Sequence, residues 1–158
     1  KGIYLPKTSK QALQYWSMAV RLLSPEDPNW ASVHYRLGQA YEIGIGGIQK
    51  NRAKAIEFYK IGSKQNADAS FQVAYYYDSG RIQASTDDYK MLCKLFHREF
   101  PKEDILLLSK MMARFYYEQA IDINPHARSH FALGRFYEKG HGHLPKDFQR
   151  AFDHYQAA

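Results

Sequence analysis

A thiol and an imidazole lie close together in this sequence. Cys93 and His97 are four residues apart, so a helix would place them on one face, as a nucleophile and its base require. This pair is what would support a hydrolase. The sequence shows no acidic residue placed to orient the imidazole, and no oxyanion-stabilising feature is evident. We therefore interpret Cys93 as a small buried apolar residue beside a surface histidine and predict no catalytic residue.

Three histidines near the end of the sequence could be imagined as metal ligands. His141 and His143 fall in a glycine-rich turn, and His154 follows on a predicted helix. Three imidazoles with an open fourth position are a common arrangement for catalytic zinc, but no carboxylates that would orient them are apparent. The single cysteine excludes a disulfide and a cysteine-based zinc site within the chain. We predict exposed turn histidines, with neither a metal nor a cofactor.

The basic residues could contact nucleic acid. The chain has 22 basic and 16 acidic residues, a formal net charge of +6. Its most one-signed stretch, opposed only by Glu57, consists of Lys50, Arg52, Lys54, Lys60 and Lys64. Because acidic residues accompany many of the positive charges, we interpret them as solvated surface and predict no nucleic-acid partner. The Gly44–Gly47 turn lacks the Lys-Ser/Thr pair of a phosphate loop, and no apolar run approaches the roughly 20 residues of a membrane span.

Two patterns alternate along the chain and define the elements that position these residues. The first, A-x5-[LV]-[GA]-x2-Y-x2-G, begins at Ala31, Ala67 and Ala127. The second, A-x3-[YW]-x2-[AG], begins at Ala12, Ala55, Ala113 and Ala151. Their apolar spacing predicts a helix for each pattern, and a hairpin of two such helices cannot bury its apolar stripe without a neighbour. The repetition therefore predicts an all-α stack of helical hairpins, an architecture that favours binding surfaces over enclosed active sites.

The motif positions are expected to have structural roles. A glycine ends each helix of the first type because it readily adopts the left-handed conformation, and a small residue in mid-helix lets the partner helix approach closely. Apolar and aromatic motif residues form the core between the helices. These positions are Leu37, Gly38, Tyr41, Gly44, Ala74, Tyr77, Gly80, Leu133, Gly134, Tyr137 and Gly140.

The spacing between repeats locates a long insertion. Ala31 and Ala67 are 36 residues apart, whereas Ala67 and Ala127 are 60 apart, so 24 extra residues lie in that interval. Most of them fall within 81–109, where Asp87 and Asp88 precede apolar residues and predict an extra amphipathic helix. We expect this segment to protrude and then to lead into one long helix over 102–123.

A second, shorter insertion spans 24–30. Its Ser24-Pro25 pair is a helix-start signal, and Asn124-Pro125 repeats that signal before Ala127. We predict the second helix of a truncated leading repeat at 1–23, repeat 1 at 24–66, repeat 2 at 67–123 and repeat 3 at 124–158. All four are expected to form one solenoid domain within a longer protein.

These motifs resemble the Sel1-like repeat, a relative of the tetratricopeptide repeat. The turn between the two helices of this family is rich in Gly, Pro, Lys and Asp, and it matches best at 140–147, then at 44–51, and more loosely at Leu5-Pro6-Lys7. Ala74 departs from the family by replacing a glycine. The resemblance implies a right-handed α-α superhelix that acts as a protein–protein scaffold or adaptor rather than as an enzyme. Members serve in endoplasmic-reticulum quality control, fungal chitin-synthase activation, signalling and bacterial host interaction.

By analogy with tetratricopeptide arrays, positions two, five, nine and twelve of each first-type helix should face a concave groove that binds a peptide or domain of another protein. They are Ser32, Tyr35, Gln39 and Glu42, then Asp68, Phe71, Tyr75 and Asp78, then Arg128, Phe131, Arg135 and Glu138. These residues predict a groove of mixed charge around aromatic rings, which is acidic in its middle repeat and carries Arg128 and Arg135 in its last repeat. The segment 81–109 is a second candidate contact surface. A regulatory or activator subunit of a membrane or quality-control enzyme complex is the alternative role, and a cytoplasmic location is favoured.

Overall fold

A computed structural model describes residues 9–158, and the Leu5-Pro6-Lys7 turn lies outside them. Within this range the regular structure is helical, and no strand occurs. The α-helices are α1 (Ser9–Leu22), α2 (Trp30–Ile43), α3 (Arg52–Gly62), α4 (Ala67–Asp78), α5 (Thr86–Phe96), α6 (Ile105–Ile123), α7 (Ala127–Lys139) and α8 (Phe148–Gln156). A short 3-10 turn, Ile45–Gly47, follows α2.

Polar side chains begin several of these helices. The side chains of Asn51, Asp104 and Asp147 each accept a hydrogen bond from a backbone N–H in the first turn of the helix that follows. Gly44 and Gly140 end α2 and α7 with φ values of +85° and +71°, in the left-handed conformation that glycine tolerates. Capping thus fixes where α3, α6 and α8 start and where α2 and α7 stop.

Three predicted helix starts are wrong. Ser24-Pro25 lies in a turn, and α2 begins only at Trp30 because Asp27 Oδ1 accepts the backbone N–H of Asn29 and closes the turn. His126, rather than the Asn124-Pro125 pair, caps α7: its Nδ1 accepts a hydrogen bond from the backbone N–H of Ser129, the third residue of the helix. The long helix starts at Ile105 rather than at residue 102, since its cap is Asp104.

The chain divides into two compact units, the first of which is Lys1–Ala69. Here α2 and α3 form a tight hairpin: a β-carbon on Gly38 would lie 2.5 Å from the ring of Tyr59, which is fully buried. The turn after α2 packs on α1, where a β-carbon on Gly46 would meet the backbone oxygen of Ser9 at 2.9 Å. The two glycines therefore permit the close approaches on which this unit is built.

The second unit, Ser70–Ala158, repeats these two contacts. Gly134 of α7 faces the ring of Tyr155 on α8, and a β-carbon there would again lie 2.5 Å from a ring carbon. A β-carbon on Gly142 would lie 3.0 Å from the backbone oxygen of Lys110 on α6. Its core consists of Val73, Ala74, Tyr76, Tyr77, Leu92, Leu108, Met111, Met112, Ala113, Tyr117, Ala120, Ala132, Leu133, Phe136, Tyr137 and Ala151.

The inserted segment is packed within the second unit. The prediction that it protrudes is therefore wrong. Its helix α5 begins with a capping box in which Ser85 and Asp88 bond to each other's backbone N–H groups. Leu92 and Phe100 are buried, and the Phe100 ring lies edge-on to the imidazole of His143 with centroids 5.5 Å apart. Asp88 also accepts a 2.8 Å hydrogen bond from the hydroxyl of the motif residue Tyr77. Leu92 and Phe100 are thus buried within the unit, which removes their apolar surface from water, whereas Leu95 and Leu106 of the same segment stay exposed.

None of the helices in the described part of the chain has both the length and the apolarity needed to cross a membrane.

Candidate functional site

A groove of about 430 Å³ opens on the surface of the second unit, and we call it the second-unit groove. Side chains from α4, α6 and α7 line it, together with the last residue of the chain. The lining residues are Phe71, Tyr75, Asp78, Tyr117, Ala127, Arg128, Phe131, Ala132, Arg135 and Ala158. Six residues predicted from the repeat positions thus come together around one groove, while Tyr117, Ala127, Ala132 and Ala158 were not predicted.

The helical period explains why these residues share one surface. On α7, Arg128, Phe131 and Arg135 are spaced i, i+3 and i+7, which places them on one face. On α4, Phe71 and Tyr75 are one turn apart and their rings stack with centroids separated by 6.3 Å. The two helix faces therefore supply rings and guanidinium groups to the same groove.

Phe71 links the two sides of the groove. Its ring contacts Tyr117 of α6, with centroids 5.6 Å apart, and lies under the guanidinium of Arg128, whose Cζ is 4.0 Å from the ring centroid. A cation over an aromatic face at this distance is an attractive arrangement. Phe71 is therefore part of the groove wall, and it holds Arg128 in place.

Two other rings of the groove are open to solvent. Phe131 is 54% exposed and Tyr75 is 38% exposed. The guanidinium of Arg81, in the inserted segment, lies 4.9 Å from the centre of the Tyr75 ring. Exposed rings flanked by cations can bind apolar side chains while fixing the orientation of an acidic partner.

Asp78 does not make the groove acidic, contrary to the expectation from the sequence. Its carboxylate forms an ion pair with Lys110, which also donates to the Asp78 backbone oxygen at 2.7 Å. The second carboxylate oxygen accepts from the Tyr117 hydroxyl at 3.2 Å. Burial, and then the negative charge of Asp78, raise the pKa of Tyr117. The charge of Asp78 is thus compensated within the unit.

The same tyrosine–carboxylate contact occurs in the other two repeats. The Tyr59 hydroxyl donates to Glu42 Oε2 at 2.6 Å, and the Tyr155 hydroxyl donates to Glu138 Oε2 at 2.9 Å. The two residues of each pair are 17 positions apart, and this spacing is a signal in the sequence by which the contact could be identified. Glu42 and Glu138, which were predicted to face a partner, therefore join the two helices of their own hairpins.

The remaining predicted residues belong to the first unit. Gln39 accepts a hydrogen bond from Arg36 and donates to the Tyr35 hydroxyl, both at 3.0 Å. Ser32 lines a separate pocket of about 520 Å³ between α1 and α2 that also contains Trp16. Asp68 is exposed in the first turn of α4.

The thiol and imidazole groups are dispersed. His97 ends α5 in the left-handed conformation with φ +51°, exposed to solvent, while Cys93 interacts with the Tyr89 hydroxyl. His143 contacts the insertion, whereas Nδ1 of His154 lies 3.0 Å from Nδ1 of His130. Within residues 9–158, no group of three or more His, Cys, Asp or Glu side chains has the geometry to hold a metal ion.

His141 and His154 lie in surroundings that oppose protonation. Partial burial and then Lys110 lower the pKa of His141, and partial burial followed by His130 lowers that of His154. Of the two turn histidines that were predicted to be exposed, His143 is exposed, whereas His141 is half-buried.

The basic stretch runs from just before α3 to just after it. Lys50, Arg52, Lys54 and Lys64 are exposed, and Lys60 is half-buried. The Lys54 ammonium lies 5.3 Å from the ring centre of Tyr41. This residue therefore stabilises the α2–α3 hairpin besides carrying surface charge.

The fold defines a helical-repeat protein. A Sel1 repeat family model matches residues 1–22, 31–66, 109–124 and 127–158, more than half of the sequence. The chain therefore belongs to the Sel1 repeat family, whose members are typically non-catalytic interaction scaffolds. A search of curated proteins gave no significant match.

Two solved structures have the same fold. A Sel1 repeat protein from Oxalobacter formigenes aligns with 96% of this chain at 22% identity and a TM-score of 0.63. A protective antigen of uropathogenic Escherichia coli strains, described as displaying an SLR fold, aligns with 99% of it at 19% identity and a TM-score of 0.67. This chain spans 50% of the first protein and 27% of the second. The predicted class, an all-α fold of Sel1-type hairpins as in helical solenoids, is confirmed.

Proposed function

We propose that this chain is a non-catalytic binding module that holds a segment of another protein in the second-unit groove. The observation that carries the proposal is the exposed Phe131 ring between Arg128 and Arg135 on one face of α7. A large exposed aromatic side chain in a concave site, bordered by charged groups, is typical of protein-binding surfaces.

The size of the groove agrees with this role. A volume of about 430 Å³ accommodates a few side chains of a peptide rather than a folded domain. The groove is open, and its walls are held by contacts among Phe71, Tyr117 and Arg128. A preorganised wall lowers the entropy cost of binding, since its side chains are already ordered.

The inserted segment supports the groove, and its exposed residues remain a second candidate contact surface. Arg81 lies over Tyr75, and the apolar residues Leu92 and Phe100 are used for packing within the unit. Residues buried in this way are not available to a partner.

The proposal is tested by comparing proteins that co-purify with the immobilised chain from an extract of its source organism. Two variants form a matched pair, because Phe131 and Phe152 are both 54% exposed and only Phe131 lines the groove. Phe131→Ala should lose specific partners that Phe152→Ala retains, with both variants folded by circular dichroism. The same set of proteins on both variants would contradict the proposed site.

A further inference from the structure

We infer that the second-unit groove recognises an acidic segment in which two carboxylates flank a bulky apolar residue. This inference rests on the proposed function of the groove and specifies its partner. It comes from the charges that remain open in the groove once internal contacts are accounted for.

The acidic group of the groove is already satisfied. Both oxygens of Asp78 have partners, the Lys110 ammonium and the Tyr117 hydroxyl, and the Asp78 side chain is only 11% exposed. Because Lys110 carries the opposite charge, this pair contributes little net charge to the groove.

The two arginines of α7 are in the opposite situation. Both are exposed, and the ion pairs among the described residues involve neither of them. Arg128 rests on the Phe71 ring, which leaves its guanidinium N–H groups unused by that contact. Glu138, one turn from Arg135 on α7, keeps its charge but does not line the groove, and its Oε2 accepts a hydrogen bond from Tyr155. The open charge of the groove is therefore positive, and a planar guanidinium matches a carboxylate in two-point hydrogen bonding.

The spacing on α7 defines the pattern of the partner. Arg128 and Arg135 are seven residues apart, which corresponds to about 10.5 Å along a helix. In an extended peptide, side chains on one face repeat every second residue, so residues i and i+4 are roughly 13 Å apart. Flexible arginine side chains bridge the difference of about 3 Å. The residue between them on the same face, i+2, then lies opposite Phe131 and is best apolar or aromatic.

The test uses blocked synthetic peptides with fluorescence anisotropy and the chain over residues 1–158. The probe GESFSEG has the predicted acid–apolar–acid pattern, and GQSFSQG, GKSFSKG and GESASEG remove the charge, reverse it or remove the apolar residue. GESFSEG should bind about a hundredfold more tightly than GQSFSQG, since each of the two lost charge-assisted contacts corresponds to roughly tenfold. It should bind about tenfold more tightly than GESASEG, which lacks the buried apolar side chain. GKSFSKG should not bind, and the affinity of GESFSEG should fall with added salt.

Variants locate the effect. Arg135→Gln should weaken GESFSEG about tenfold, whereas Lys139→Gln, an equal change of charge outside the groove lining, should not. Equal binding of GESFSEG and GQSFSQG, with both lost in Phe131→Ala, would overturn the acidic preference while the groove remained a protein-binding site. No binding of any probe would also overturn it, and the co-purification comparison decides separately whether the groove binds protein. Tighter binding of an eight-residue oligothymidylate, weakened by Arg135→Gln, would overturn it in favour of nucleic acid.

Discussion

Replacing Gly38 by alanine should destabilise the first unit, although alanine is the better helix former. A β-carbon at this position would lie 2.5 Å from two ring carbons of Tyr59, where about 3.5–4.0 Å is normal for carbon atoms. The Tyr59 ring is fully buried, and its hydroxyl is held by Glu42 at 2.6 Å. The ring must therefore move by about 1 Å into packed surroundings, and its hydrogen bond is stretched or lost.

The change in the free energy of unfolding combines two destabilising contributions and one stabilising contribution. Overpacking in a core costs about 1–3 kcal/mol, and losing a hydrogen bond to a charged acceptor costs about 1.5–3 kcal/mol. The helix propensity of alanine over glycine returns about 1 kcal/mol. We expect the free energy of unfolding to fall by about 2–4 kcal/mol.

Two substitutions at the equivalent position of the other repeats serve as controls. Gly134→Ala meets Tyr155, which is half-buried in the last turn of α8 and can rotate outward, so the loss should be only about 0–1 kcal/mol. Repeat 2 already has an alanine, Ala74, at this position. Ala74→Gly should lower the free energy of unfolding by about 1–2 kcal/mol, because helix propensity is lost and a small cavity is left.

The assay is urea unfolding followed by circular dichroism, with native-state hydrogen exchange of α2 and α3 peptides to assign the loss to the first unit. The reasoning is refuted if Gly38→Ala leaves stability unchanged or raises it. A loss for Gly134→Ala as large as that for Gly38→Ala would refute it as well, because ring mobility would then not matter.

Three further predictions follow from the contacts described above. Phe100→Ala should destabilise the second unit by about 3 kcal/mol in urea unfolding, because the ring is 5% exposed, whereas Leu95→Ala on the same inserted segment should cost little at 50% exposure. Burial, and then the charge of Asp88, raise the pKa of Tyr116 to about 12. The contribution of Tyr116 to stability is therefore complete below pH 10 and is lost between pH 10 and about 12. Tyrosinate absorbance should rise in that pH range together with unfolding. Burial and then the charge of His130 lower the pKa of His154. His154 therefore stabilises the fold above pH 6.5, and this effect disappears as the pH falls. An NMR titration should give His154 a pKa below 6.5, and His130→Ala should raise that pKa.

The repeat pattern predicted much of the fold because its signals are local. A small residue and a ring at fixed spacing set which faces of α2 and α3 meet, and Gly44 and Gly140 end their helices by backbone conformation alone. The same periodicity placed Phe71 and Phe131 in one groove. Such features depend on residues within one hairpin or its neighbour, and they can therefore be identified from spacing.

Contacts between residues far apart in sequence were not accessible in this way. Lys110 is 32 residues from Asp78, and nothing in the pattern indicates that it neutralises this carboxylate. The insertion has no repeated counterpart, so its packing against His143 could not be inferred from any other repeat. Ser24-Pro25 carried a valid helix-start signal, but Asp27 closes a turn there and delays the helix.

The tyrosine–carboxylate pairs explain why the composition of the first-type helices misrepresents the charge of the groove. Each repeat has an acid at the twelfth position, namely Glu42, Asp78 or Glu138, and each of these acids accepts a hydrogen bond from the tyrosine of its partner helix. The acids that appear to face a ligand are therefore structural groups. Arginines at positions two and nine of α7 have no such internal acceptor among the described contacts, so they determine the sign of the open charge. Within this chain, ligand preference must be derived from the charges that remain after internal pairing, and in the second-unit groove those charges are positive.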